Sequence, residues 1–222
     1  MIRMVINDCK FEQSLDEINS MIISLENKKY FYSFMIDLQL SYSEINSIKL
    51  FDEREKELKN SDYFEVIPSI FGMDVNNKKN INALLKIIKS DNKEFIQNYV
   101  NKANDNLEMI AKTLNLESEI QFETDIDFID DDLLKMLNIH IKQETNSLVE
   151  LIFSYIKTTF ELRKIKIFIF ANLIDYLEDE EISLLLKNCV FLGVIIIDIE
   201  SKNIKNSNFQ FNFILDKSLC LI

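Results

Sequence analysis

Two nearly unbroken apolar runs near the C-terminus, residues 165–171 (IKIFIFA) and 190–199 (VFLGVIIIDI), constrain the fold most. A strand covered on both faces shows no alternation, so such runs read as buried strands of a parallel sheet. Residues 178–188 between them carry a helical pattern. Parallel neighbours cannot be joined by a tight turn, so strand, helix and strand form a βαβ unit with a right-handed crossover. Turn chemistry agrees. The 222 residues contain two glycines and one proline, too few for a hairpin-rich all-β fold.

Upstream, residues 21–25, 48–51 and 64–67 read as short strands. Phe31, Phe34, Met35 and Leu38 mark a helix over 28–40, and Pro68 and Gly72 then punctuate the chain. A helical region follows. Ile81, Leu84, Leu85 and Ile88 form one stripe, and Phe95, Tyr99, Ala103, Leu107, Ile110 and Leu114 form another, with a break at 90–92. A short helix at 133–137 precedes a long one over 145–163, striped by Leu148, Ile152, Tyr155, Thr159 and Leu162. Two long striped helices suggest an antiparallel hairpin. Residues 209–215 and 218–222 suggest a closing hairpin across Asp216-Lys217. The expected organisation is an α/β head built from 1–77 and 164–222, with 78–163 inserted as a long-helix leg.

Several chemistries are excluded. Residues 194–198 (VIIID) look like the magnesium-positioning strand of a P-loop ATPase, but GxxxxGK[ST] is missing, and Gly72 and Gly193 are the only glycines. Asp198 reads as the end of a buried strand. The single histidine, His140, lies among apolar residues and reads as structural or exposed, and three scattered cysteines (Cys9, Cys189, Cys220) lack zinc spacing. The cysteines read as small buried hydrophobes in a reducing compartment. No signal-like h-region opens the chain, and the run at 190–197 is far shorter than the roughly 20 residues of a membrane helix. The expectation is a cytoplasmic protein without membrane contact. The formal charge of −12 argues against a nucleic-acid partner, but local distribution outranks the sum.

Two stretches carry chemistry. Residues 117–132 (ESEIQFETDIDFIDDD) hold eight carboxylates, and Ile120, Phe122, Ile126 and Phe128 alternate with Glu119, Glu123, Asp125 and Asp127. An extended chain would put acids on one face and apolar groups on the other. Alternating carboxylates suit calcium, which takes six to eight oxygens, yet Ile129 and the lack of glycine rule out an EF-hand loop. The competing reading is a solvated acidic loop, with Asp130 or Asp131 capping the helix that follows. Lys86, Lys89 and Lys93, spaced i, i+3, i+7, could line one helical face that tracks phosphates, or form an ordinary wet face.

Residues 51–77 (FDEREKELKNSDYFEVIPSIFGMDVNN) resemble the CRISPR-associated accessory proteins of type II-A systems. The matching features are Phe51-Asp52, the Lys-containing stretch 53–59, Ser61-Asp62, the apolar stretch 64–67 and the turn Gly72-Met73-Asp74-Val75-Asn76. The Lys-rich strand entry at 164–172 (KIKIFIFAN) and the closing 212–216 (NFILD) are similar too. Two departures stand out: Glu17-Ile-Asn-Ser20 replaces a double glycine of some members, and the acidic segment is one residue longer. The resemblance implies an α/β head related to an inactive P-loop-like core, a helical leg and a homotetrameric ring. It also implies calcium in the leg region, and double-stranded DNA held in the ring without sequence preference and without catalysis. DNA ends would be gripped during spacer acquisition, with the integrase complex and the effector nuclease as partners. Carried onto this sequence, the metal role falls to Glu123, Asp125 and Asp132, with Glu119 and Asp127 as substitutes. The DNA role falls to Lys86, Lys89, Lys93 and Lys135.

Two rival functions use the same residues. One is a metal-dependent nuclease or phosphoesterase built on the carboxylates. The other is a DNA-free adaptor that only docks proteins.

Overall fold

A computed structural model describes residues 2–6, 11–40 and 44–222; Cys9 lies outside them. The chain forms two compact units, Met1–Val75 with Gln143–Ile222, and Asn76–Lys142.

The first unit is built on a parallel sheet. Its strands are β3 (Ser20–Leu25), β5 (Phe64–Ile67), β6 (Ile167–Ala171), β7 (Ile195–Glu200) and β8 (Phe211–Leu215), in the order β5-β6-β7-β3-β8. All four pairings are parallel, with Met21 opposite both Ile197 and Phe211. A smaller antiparallel sheet places β1 (Arg3–Ile6) between β2 (Phe11–Ser14) and β4 (Ile48–Phe51). One face of the large sheet offers Met21, Ile23, Leu25, Phe64, Ile167, Ile169, Ile197 and Ile199 to a core shared with the small sheet. Helix α1 (Lys28–Leu38) adds Phe34 and Leu38, and its first turn is capped by Asn27, whose carboxamide accepts from Lys29 N and Tyr30 N.

The opposite face carries an ionic link. Glu65 alternates with Phe64 and so points the other way. Its carboxylate accepts from Arg163 Nη2 at 2.8 Å and from the Tyr155 hydroxyl at 3.3 Å. Both partners lie on α5 (Leu148–Arg163), which packs against α6 (Asp179–Leu192). Thus α5, expected in the inserted leg, sits in the first unit, where Ile152, Ile156 and Thr159 are buried. The second unit therefore ends at Lys142 rather than at 163.

Four local expectations change. The run 190–199 is not one strand: Val190–Leu192 finish α6, and Gly193, at φ 72°, stops the helix before β7 begins. Asp198 does not end its strand, since β7 runs on to Glu200. The closing hairpin shrinks to one bridge between Leu215 and Leu221, because β8 pairs in parallel with β3. Of the described cysteines, Cys189 is buried, and burial pushes its thiol up to about 12. Cys220 is exposed, unlike the expectation. No described helix is long and apolar enough to cross a membrane.

The second unit holds α2 (Lys78–Asp91), α3 (Lys93–Glu117) and α4 (Asp130–Met136). The expected break falls at Asn92, whose backbone leaves the helical region at φ −123° and ψ 27°. A small core joins Ile96 and Val100 of α3 to Leu134 of α4, with Leu85, Ile88 and Phe128 around it. Facing away are Phe95, Tyr99, Leu107, Ile110 and Leu114, which are exposed. The stripe that sequence periodicity assigns to packing is therefore open, and its neighbours Ile96 and Val100 do the packing.

Asparagine side chains fix the irregular parts of this unit. Asn104 donates to Phe128 O (2.9 Å) and accepts from Phe128 N (3.0 Å). Asn115 makes the same pair of bonds to Phe122, at 2.9 and 3.1 Å. Asn76 clasps Ile141 likewise, at 3.2 and 2.7 Å, and so ties the two ends of the unit together. The separation of 104 and 115 spans about 16 Å of helix, and six extended residues from 122 to 128 span about 20 Å. The acidic segment thus runs back along α3 in near-extended form, without joining a sheet.

Two predictions follow from these buried and bridging polar groups. Asp198 and Glu200 are fully buried neighbours on one face of β7. Asp198 accepts from Leu173 N and Ile174 N, whereas among the described residues neither oxygen of Glu200 has a hydrogen-bond partner. Burial, reinforced by Glu200, raises the Asp198 pKa, and burial raises that of Glu200. A carboxyl with a raised folded pKa favours folding below its ordinary value near 4 and loses that advantage as pH climbs through the folded value. Stability should fall from mildly acidic toward neutral pH. Glu200→Gln should lift the neutral-pH melting temperature by a few degrees and flatten the pH profile; an unchanged slope would contradict the assignment. Separately, Asn104→Ala removes two bonds worth about 1–3 kcal/mol together. Amide exchange should accelerate over 121–129 and stay unchanged in β6 and β7, as read by hydrogen–deuterium exchange.

Candidate nucleic-acid and cation sites

Both sequence-predicted sites lie in the second unit. Clasped at Phe122 and Phe128 by Asn115 and Asn104, the acidic segment keeps part of its two-faced character. Ile126 and Phe128 are half-buried, whereas Asp125 and Asp127 face solvent. The apolar face frays toward the other end, where Ile120 is 78% exposed.

Helix α4 begins at Asp130 itself, earlier than expected. Asp130, Asp131 and Asp132 fill its first turn, where the positive end of the helix dipole favours carboxylates. The cap is neither Asp130 nor Asp131. Asp132, third in the helix, reaches back to accept from Ile129 N at 3.3 Å.

Lysines approach these acids. Lys89 Nζ lies 2.9 Å from Asp131 Oδ1 and 3.5 Å from Asp130 Oδ2, and Lys135 Nζ lies 3.5 Å from Asp132 Oδ1. The hydrogen bond from Lys89 holds the Asp131 carboxyl below its usual range, and the same bond raises the Lys89 ammonium. These pairs are solvent-exposed, so their contribution to stability is small.

Three of the four predicted lysines share a place. Lys86, Lys89 and Lys135 line one cleft of about 440 Å³ between α2 and α4, with Asn82, Leu85, Asp131 and Leu134. Lys93 does not join them. Helix α2 ends at Asp91, so Lys93 opens α3 and lines the notch formed by residues 90–95. The i, i+3, i+7 spacing would align all three only along an unbroken helix.

The predicted metal ligands are spread out. Asp125 lines a second cleft of about 380 Å³ with Glu108, Lys112, Asn115 and Thr124. Among the described residues, no three of the His, Cys, Asp and Glu side chains gather into a metal-holding group. The donor chemistry nevertheless fits a hard dication. Glu119, Glu123, Asp125 and Asp127 are exposed, and among the described residues their carboxylates have no hydrogen bond or ion pair. Asp132 is already engaged by Lys135 and the Ile129 amide. His140 is exposed. Sequence reasoning missed Asn104 and Asn115, which position the segment; an isolated asparagine on a helix leaves no periodic signal.

Comparison with known proteins connects this arrangement to one family. The model of the CRISPR-associated protein family Cas_Csn2 matches residues 41–219. The CRISPR-associated protein Csn2 of Enterococcus faecalis is 25% identical over 224 residues, with 98% of each chain covered. That of Streptococcus agalactiae is 26% identical over 187 residues, covering 79% of this chain and 78% of the relative. Among solved structures, the crystal structure of Stu0660 of Streptococcus thermophilus superposes with a TM-score of 0.59 at 16% identity. It covers 97% of this chain and 74% of that one, a likeness of fold. With the family model spanning most of its length, and both relatives aligned over most of theirs, the chain belongs to the Csn2 family, the non-catalytic accessory proteins of type II-A CRISPR adaptation.

Proposed function

We propose that this chain binds double-stranded DNA, at ends and without sequence preference, as a calcium-stabilised homotetrameric ring that supports spacer acquisition. The CRISPR integrase complex and the type II effector nuclease are its proposed partners. The observation that carries the reading is the convergence of Lys86, Lys89 and Lys135 on one cleft. Ammonium groups from two helices can straddle a phosphate backbone, and such contacts set register without reading bases. The net charge of −12 does not oppose this reading, because local placement outranks the sum, and three lysines share this cleft even though Asp130, Asp131 and Asp132 lie within reach of two of them.

Two further features support the reading. The open stripe of Phe95, Tyr99, Leu107, Ile110 and Leu114 is the kind of surface that another copy would cover. The all-parallel sheet of the first unit suits a relationship to a P-loop-like core. In that core Asp198 is spent on the amides of Leu173 and Ile174, and no phosphate chemistry is assigned to it.

For calcium, Glu123, Asp125 and Asp132 are the proposed ligands, with Glu119 and Asp127 as substitutes. The ion when bound would neutralise carboxylates that otherwise repel one another. The protein's own part is to present them on a segment that Asn104 and Asn115 hold along α3.

Analytical ultracentrifugation with a calcium titration and a labelled duplex tests the whole reading. A calcium-dependent tetramer that carries linear duplex and is excluded from closed circles is expected; a monomer indifferent to calcium and duplex would remove the proposal. Within it, Lys86→Gln and Lys135→Gln should each weaken binding equally on duplexes of unrelated sequence. Each should lower the slope of log K against log salt by about 0.9. A slope unaltered in the double variant would move DNA away from this cleft.

A further inference from the structure

The lysine cleft contains an acid that neither metal binding nor helix capping requires. Asp131 is not among the proposed calcium ligands, and the cap of α4 is made by Asp132. Yet Asp131 lines the cleft beside Lys86, Lys89 and Lys135, and its Oδ1 receives a hydrogen bond from Lys89 Nζ at 2.9 Å. Asp130 stands behind it at 3.5 Å from the same ammonium. Lys86, from the same helix and in the same cleft, has no ion pair among the described residues. The three ammonium groups are therefore not equivalent. One is free, one is loosely held by Asp132, and one is already bonded to a carboxylate oxygen at the distance a phosphate oxygen would take.

We propose that Asp131 is an internal competitor for phosphate at Lys89, a specificity-determining residue for the anion that enters this cleft. The inference rests on the DNA-binding reading and extends it. Lys86 and Lys135 make the first contacts with a phosphate backbone. Lys89 joins only where a phosphate displaces the Asp131 carboxylate. An isolated anion gains one contact at the cost of breaking an existing one, whereas a duplex anchored at two neighbouring lysines presents its next phosphate at high local concentration. The cleft so built discriminates a polymeric phosphate ligand from free inorganic phosphate. Because the Lys89–Asp131 pair is exposed and screened by salt, the competition tunes affinity and does not abolish it.

The test is equilibrium binding of a short fluorescein-labelled duplex to the full chain across a salt series, with inorganic phosphate as a competing ligand. Asp131→Asn should tighten duplex binding by about two- to fivefold at moderate salt. It should also steepen the salt dependence by up to about 0.9, since Lys89 then counts as a phosphate contact. Inorganic phosphate should compete more effectively against the variant than against wild type. Asp131→Ser, also accepted in a first helical turn, should behave alike and guards against a local effect of asparagine on α4. In a Lys89→Gln background, Asp131→Asn should produce no more than Asp91→Asn, an exposed acid outside the cleft, produces by its charge alone. If both Asp131 variants bind duplex like wild type with the same salt slope, the competitor role is overturned and the DNA-binding reading stands. The role is equally overturned if tightening persists in full without Lys89. No duplex binding by the wild-type chain would remove the reading and this inference together.

Discussion

The position of β3 governs the architecture. A strand formed by residues 20–25 lies between β7 and β8, which the chain reaches only after residue 195, and it runs parallel to both. Neither pairing can be made by a local turn, so the sheet cannot close until both ends of the chain are present. Everything between must leave the sheet and return to it. The second unit meets that demand at its own base, where the Asn76 carboxamide bonds both backbone groups of Ile141. Loop-closure entropy grows only slowly with length, so a large helical insertion is tolerated once its ends are held together. The same topology makes most sheet contacts non-local, which slows folding relative to a helical bundle of this size.

Charge follows a comparable logic of placement over sum. The chain is strongly acidic, yet one cleft is lined by three lysines and one aspartate. The three acids that open α4 stabilise the helix through its dipole and also sit within reach of Lys89 and Lys135. One short helix therefore links the acidic segment to the basic cleft. Whatever binds carboxylates near Asp132 alters the field felt by lysines on the same turns. The first unit handles its buried acids differently. Glu65 is compensated by Arg163 and Tyr155, whereas Asp198 and Glu200 share a site where burial favours protonation.

What the sequence revealed and concealed has physical causes. Strands β4 and β5 were legible because short apolar stretches bounded by polar residues leave a local signal, and their limits at 48–51 and 64–67 match the expectation. The parallel βαβ unit was legible from its apolar runs, but its internal boundary was hidden. Val190–Leu192 are apolar in either state, and only Gly193 in the left-handed region marks the end of α6. Lys93 was misgrouped because a single non-helical residue, Asn92, ended the face it seemed to share with Lys86 and Lys89. On α3, periodicity found an apolar stripe without saying whether it faces inward, and the inward side belongs to Ile96 and Val100. The ligand set of the acidic segment came from family resemblance; the extended form came from alternation.

The asparagine clasps explain how such a segment can be held at all. Like-charged carboxylates on neighbouring residues repel one another, and a strand in a sheet would bring further side chains against them. Asn104 and Asn115 instead bond only the main chain of Phe128 and Phe122, using both the N–H and the C=O of each. The backbone is satisfied at Phe122 and Phe128, while among the described residues the carboxylates of Glu123, Asp125 and Asp127 between them make no hydrogen bond or ion pair. Position is thus fixed without consuming the acids. A hard dication of the kind proposed above would relieve repulsion among acids left uncommitted in this way. Any rearrangement of the acidic segment would stay local, because α3 keeps its place against α4 through Ile96, Val100 and Leu134.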